Sequence, residues 1–269
     1  METIVPRREE SPFEVLTRCG GYYECPKDAR GRRQGPLVGY AGRDEKGRQY
    51  VGDIYVNFAK AERHLPVLTD TAEKISFRLA NLESLGRIGT SCPEVTGFCG
   101  APEGGKALAV MLASCSRTQY IFPEKKIVAI ATSVSREISK LVFDRHEPEK
   151  GDVWWIAEDV CNNFSTTAQM IELIESFGAR VAGVTCFLNR SLDVGLRYTV
   201  PGGNRELPVV PLVRKKIEQY RQDDPAVAED VQAGNVVWKP KNDWDKLAAA
   251  EASYVEQYRL ARKAVARNL

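Results

Sequence analysis

The alternation of apolar and polar positions predicts two strand–loop–helix units in the middle of the chain. Val153-Trp154-Trp155-Ile156-Ala157 is an apolar run of strand character that ends in two adjacent carboxylates, Glu158 and Asp159. A polar loop through Asn162, Asn163 and Phe164 leads to Ser165 and Thr166. A helical pattern follows, with Met170, Ile171, Leu173 and Ile174 apolar and Glu172 and Glu175 between them. Gly178 closes that helix, and Val181 to Leu188 reads as the next buried strand. The earlier unit has Val95 to Cys99 as a strand, Gly100-Ala101-Pro102-Glu103-Gly104-Gly105 as a turn and Lys106 to Ala113 as a small-residue helix.

Weaker patterns fill in the rest. A short helix is expected near Phe13 to Thr17, and strands at Leu37 to Tyr40 and Ile54 to Phe58, joined by a polar turn over residues 42–48. Helical spacing runs from Val67 to Leu82, with Thr69 or Asp70 near its start. Ile127 to Ala131 reads as a strand, and Thr132 to Lys150 as a polar stretch: a solvated surface loop or helix, or else a cationic lid. Leu207 to Val213 is expected to be the last strand of the core and Arg214 to Tyr220 a helix. Asn235 to Trp238 reads as extended, and Trp244 to Ala266 as a charged helical tail. The fold class is α/β, with a central parallel sheet flanked by helices. An extension covers residues 1–35, a small subdomain and leading helix 36–85, the core 86–215, and a mostly helical extension 216–269.

Composition narrows the function classes. At 269 residues, 43% hydrophobic and 28% charged, the chain is an ordinary globular protein. A net charge of +2 supplies no global basic field for nucleic acid or membranes. No apolar run approaches a membrane span and the first ten residues are charged, so a cytoplasmic setting is expected. Seven cysteines lack metal-type spacing, and Cys19 with Cys25 is the nearest pair. Two histidines, His64 and His146, leave little material for a histidine metal site or a Ser-His-Asp hydrolase. The helix from Tyr254 to Arg267 is mildly basic and reads as packing on the core or on a second subunit.

Candidate chemistry sits where the two units turn. Acids at the carboxyl end of a strand, followed by hydroxyls at a helix start, suit a phosphorylated ligand at the edge of an open sheet. Taken alone, Ser165 or Thr166 is as readily a helix cap, and a Gly-Pro turn as readily only a turn.

The central stretch resembles the diphosphoribose-binding motif of type I phosphoribosyltransferases, and among these it looks most like orotate phosphoribosyltransferases. Glu158-Asp159-Val160 falls on the acidic pair, Ser165 on the hydroxyl that opens the helix and Gly178-Ala179 on the turn after it. Leu188-Asn189-Arg190 falls where that family has an Arg that reads the base, with no gap needed between Asp159 and Arg190. Ala101, Pro102, Glu103, Gly104 and Gly105 resemble the pyrophosphate-cradling turn. Lys46 or Arg48, with Tyr55, resembles the base-holding hood within residues 36–85. The likeness covers roughly Leu37 to Val213.

The resemblance implies Mg²⁺-dependent transfer of phosphoribosyl from 5-phosphoribosyl 1-diphosphate to a base, orotate first, in pyrimidine nucleotide biosynthesis. Glu158 and Asp159 would hold the ribose hydroxyls and reach Mg²⁺ through ribose or water. Asn162, Asn163, Phe164, Ser165 and Thr166 would hold the 5′-phosphate, Lys140, Arg136 or His146 the leaving group, and Arg190 the base. A homodimer is expected, with no nucleic-acid or membrane partner. Another pyrimidine or a purine is the alternative base, and a non-catalytic regulatory relative is the alternative class. One departure bears on both. Asn162, Asn163 and Phe164 stand where the family loop has Thr and Gly, and a left-handed backbone suits Asn far better than Phe.

Overall fold

The computed structural model describes residues 3–88, 95–129 and 138–267. In chain order the elements begin with helix α1 (Pro12–Arg18) and strands β1 (Tyr22–Glu24), β2 (Leu37–Arg43), β3 (Gln49–Gly52) and β4 (Ile54–Val56). Helices α2 (Ala59–Glu62) and α3 (Leu65–Ser84) lead to β5 (Gly97–Gly100), α4 (Gly105–Ser116), β6 (Gln119–Ile121), β7 (Glu124–Ala129) and β8 (Ile138–Val142). Then come β9 (Val153–Cys161), α5 (Ser165–Ser176), β10 (Arg180–Asn189), β11 (Arg197–Thr199) and β12 (Glu206–Arg214). The chain closes with α6 (Ala228–Gln232), β13 (Val236–Val237) and α7 (Trp244–Arg267). Two compact units result: Met1–Pro12 with Ala61–Lys216, and Phe13–Lys60 with Ile217–Leu269.

The first unit is built on a six-stranded sheet in the order β11-β12-β10-β9-β5-β6. All its pairings are parallel except that of β11 with β12. The central strands are mostly apolar and buried along their middles because helices cover both faces. Trp154 and Ile156 of β9 share a buried cluster with Met170, Ile171 and Ile174 of α5. Trp155 faces the other way, toward Ser76 and Leu79 of α3 and Cys115 and Ser116 of α4. Each tryptophan therefore seals one face. The bulk of Trp155 is accommodated because Gly183 on β10 has no side chain: a Cβ there would lie 2.5 Å from the indole.

The strand order carries the functional consequence. From β5 the chain steps outward through α4 to β6, and from β9 it steps the opposite way to β10 and β12. The reversal lies between β5 and β9, and in open parallel sheets the ligand crevice opens at the carboxyl ends flanking such a point. Gly100 pairs with Ala157, so β5 ends there while β9 runs on past it, which leaves Glu158 and Asp159 without a β5 partner beside the turn that begins at Ala101.

The second unit pairs β1 with β4 and orders β13-β2-β3 over a small cluster of Leu37, Val51 and Val227. Asp53 accepts Lys27 at 2.7 Å and Arg33 at 2.5 Å, and Arg33 also reaches Asp230 at 3.2 Å. The segments read as separate N- and C-terminal extensions thus contribute to one unit.

Three expectations are corrected. Arg214 to Tyr220 is not a helix. Arg214 ends β12, residues 215–219 are irregular, and Tyr220 instead exchanges backbone hydrogen bonds with Val51 at 2.8 and 3.0 Å, satisfying groups of β3 that would otherwise stand open. The strand expected at Ile127 to Ala131 begins earlier, at Glu124, and forms an antiparallel hairpin with β8 rather than joining the main sheet. The polar stretch from Thr132 therefore contains a strand, and its first residues, through Arg136 and Glu137, lie outside the described residues. Helix α3 starts at Leu65, with Pro66 in its first turn, four residues before Thr69.

Gly183→Ala tests the sheet-to-helix packing. The added methyl should cost about 1–3 kcal/mol, read in urea as a lower midpoint at unchanged slope. An unchanged midpoint would mean that Trp155 does not rest on Gly183.

Candidate active site

Close approach of backbone to side chain builds the site at the switch point. The turn after β5 folds onto the end of β9: the Ala101 N–H donates to the Ala157 carbonyl at 2.8 Å, and the Gly105 N–H to the Ala101 carbonyl at 2.8 Å. A Cβ on Gly105 would sit 2.0 Å from the Ala157 oxygen, and one on Gly100 would sit 2.8 Å from the Gly105 oxygen. A Cβ on Gly104 would lie 2.4 Å from Cγ of Asp159, so this carboxylate rests directly on the turn. The Pro102–Glu103 peptide is cis. Glu103 points outward to Lys106 at 3.0 Å, and the Lys106 ammonium sits 4.9 Å from the centre of the Phe122 ring.

Glu158 and Asp159 are half-buried at the mouth of the sheet. Burial, reinforced by the charge of Asp159 and opposed by Lys125, pushes the Glu158 carboxyl up to about 8. Burial also raises Asp159, opposed by the Val160 N–H donated to its Oδ1 at 2.7 Å. Glu62, on α2, is raised by burial and by Asp159 and so adds a third acid to the same field. Dehydrated carboxylates of this kind gain most when a cation arrives. Among the described residues no group of three or more acidic, histidine or cysteine side chains could hold a metal ion unaided. The set nevertheless suits Mg²⁺, which takes one or two carboxylates and completes its shell with waters and substrate phosphates.

The loop after β9 resolves the departure seen in the sequence. Phe164 adopts the left-handed conformation, φ 57° and ψ 18°, at the residue before α5. Its side chain is buried and stacks on Tyr198 of β11, with ring centres 5.0 Å apart and planes inclined by 16°. An L-residue in that conformation costs about 1–2 kcal/mol; burying the ring and stacking it offset this. Asn163 Oδ1 accepts the Ser165 N–H at 3.2 Å and the Ser165 hydroxyl at 2.9 Å, so Asn163 caps α5 from two residues upstream. Ser165 is exposed and Thr166 half-buried at a helix start, where N–H groups and the helix dipole favour an anion.

Beyond β10, Arg190 is buried and its N–H donates to the Cys161 carbonyl at 2.9 Å. The turn that follows is pinned from several sides. Asn189 Nδ2 donates to the carbonyls of Val194 and Gly195 at 3.0 and 2.9 Å, and Arg214 donates to those of Asn189 and Ser191 at 3.1 and 2.5 Å.

The remaining sequence candidates stand on other elements. Lys140 is exposed on β8, in register with Lys126. His146 meets the edge of the Tyr120 ring at 6.3 Å, and Arg136 lies outside the described residues. Lys46, Arg48 and Tyr55 belong to the second unit. There Arg48 is held by Asp44 at 3.0 Å and Asp223 at 2.6 Å, while Lys46 reaches Asp223 at 3.6 Å. Tyr55 lies 6.4 Å, ring to ring, from Trp244. Sequence reasoning missed Glu62, Asn189 as a turn brace, Tyr198 and Arg214. Only the Leu188-Asn189-Arg190 triplet offered a signal for any of them.

Two outcomes follow from this geometry. Gly104→Ala should displace the Asp159 carboxylate and release the turn; full activity or ligand affinity in that variant would overturn the contact. Glu158 is protonated more readily folded than unfolded, with its folded value near 8 against 4.5 for the free side chain. It therefore favours the folded state fully below about pH 4.5, and that contribution is lost as pH rises through about 8. Glu158→Gln should flatten the fall in stability between those limits, measured by urea unfolding at several pH values.

No family model matches the chain and no curated protein matches it. Solved structures do. Orotate phosphoribosyltransferase from Aeropyrum pernix is 15% identical over 75% of this chain and 92% of its own, with a TM-score of 0.47. UMP synthase from Leishmania donovani is 11% identical over 88% of this chain and 41% of its own, with a TM-score of 0.49. Adenine phosphoribosyltransferase from Rhodothermus marinus is 17% identical over 76% of this chain and 98% of its own, with a TM-score of 0.44. These similar structures carry the name of the family that the motif around Glu158 and Asp159 resembles, or that of UMP synthase.

Proposed function

We propose that this chain is a phosphoribosyltransferase that moves the phosphoribosyl group of 5-phosphoribosyl 1-diphosphate onto a nucleobase, orotate first among the candidates. The observation that carries the reading is the contact of the Asp159 carboxylate with Gly104. In the sugar diphosphate, ribose and pyrophosphate are one bond apart. A site for it needs acids for the ribose hydroxyls directly beside a turn for the diphosphate, and these two features meet here from segments distant in sequence.

The base nitrogen would form its bond to C1′ as the C1′–O bond breaks and its electron pair leaves with pyrophosphate. Positive charge develops on the ribose ring. Asp159, and Glu158 once its proton has left, would stabilise that charge more than water does. Mg²⁺, when bound, supplies charge neutralisation on the diphosphate oxygens. Ser165, Thr166 and the start of α5 hold the 5′-phosphate, which anchors the sugar so that C1′ faces the base. Lys140 or His146 would meet the departing pyrophosphate. Arg190 would pair with an oxygen of an anionic base. A homodimer is what the resemblance implies.

A regulatory relative with a decayed phosphate loop is the competing reading. The stacked, capped Phe164 loop speaks against decay, because a loop without a ligand has no need to maintain a left-handed aromatic residue.

Pyrophosphate release with Mg²⁺ across orotate, uracil, adenine, hypoxanthine and nicotinate tests the proposal. Release with a single base names the substrate. Binding of the sugar diphosphate without release for any base favours the regulatory relative, and no binding overturns both. In the active pair Asp159→Asn should lower turnover by about 100-fold with the fold intact by circular dichroism.

A further inference from the structure

We infer that Tyr198 is a positioning residue for the phosphate-holding start of α5: its ring holds Phe164 in the left-handed conformation that shapes the loop. The inference rests on the phosphoribosyl reading only for the identity of the anion.

Phe164 is where the loop turns into the helix. Its carbonyl accepts the Ala168 N–H at 2.9 Å, closing the first turn of α5, so its backbone angles fix where the Ser165 and Thr166 amides point. Of the non-glycine residues described, only Arg117 and Phe164 have positive φ. Glycine would occupy this conformation without penalty, whereas a phenylalanine needs something to keep it there. The structure supplies a partner. Phe164 is 4% exposed and Tyr198 7%, and their rings lie nearly parallel at 5.0 Å. Tyr198 comes from β11, the three-residue antiparallel edge strand, where it pairs with Leu207. That strand thereby has a task beyond ending the sheet: it carries the ring that sets the loop. Removing the ring would let Phe164 relax to an ordinary conformation and would turn the Ser165 amide away from Asn163.

The test uses the whole chain with ribose 5-phosphate as probe. Tyr198→Ala should raise its dissociation constant about tenfold, the factor to which a left-handed penalty of about 1.4 kcal/mol corresponds. KM for the sugar diphosphate should rise in parallel with kcat little changed, because the 5′-phosphate contact is made equally in ground and transition states. In the ligand-free protein, amide exchange at Ser165 and Ala168, whose N–H groups donate to Asn163 and to the Phe164 carbonyl, should quicken. Tyr198→Phe should restore all three quantities, which a loss of general stability would not predict. Tyr198→Leu fills the space without a flat ring and serves if the alanine variant fails to fold; it should still weaken binding several-fold. Wild-type affinity and exchange in the leucine or alanine variant would overturn the inference while leaving the phosphoribosyl reading intact. If the wild-type chain binds no ribose 5-phosphate, that reading fails instead. The exchange rates then decide on Tyr198 alone, unchanged rates overturning it.

Discussion

The whole site depends on how closely two backbones can approach. Gly104 and Gly105 sit where any side chain would collide with the Asp159 carboxylate or the Ala157 carbonyl. This requirement concerns space rather than backbone angle, since Gly104 itself has ordinary helical values, φ −72° and ψ −24°. Because the turn can nest against β9, the acids and the start of α4 share one crevice. Strand order puts that crevice at the switch point, and everything else adds charge or rigidity to it.

Electrostatics then gives the crevice its character. Glu62, Glu158 and Asp159 share one field: the Asp159 charge raises the proton affinity of the other two, and burial raises all three. Such a group of acids is costly in the empty protein and becomes favourable when positive charge enters. Two helix starts, at Gly105 and Ser165, favour negative charge. A ligand with a cationic centre between anionic ends matches that arrangement.

Much of this was legible in the sequence. The apolar run into Glu158 and Asp159, the Gly100–Gly105 turn and the helix after Ser165 all follow from local pattern, because strand, turn and helix periods differ. Phe164 was not legible: left-handed backbone in an aromatic residue is decided by a partner far along the chain, Tyr198, which no local pattern announces. The irregular path from Lys215 to Tyr220 escaped for the same reason, since the open backbone of Val51 decides it. The apolar run at Ile127 announced a strand, but not that it would pair with β8 instead of with the main sheet, because local pattern does not name a strand's partner.

The two tryptophans of β9 carry one more consequence. Trp154 and Trp155 are neighbours in sequence, yet their indoles lie in different layers, one among the apolar residues beneath α5 and the other toward α3 and α4. Each would emit from its own environment. With Trp238 and Trp244 in the second unit, single-tryptophan versions of this chain would give separate optical reporters for each helical layer and for the second unit. Loosening of one layer could thus be followed by fluorescence while the other stayed silent, on the same strand as Glu158 and Asp159.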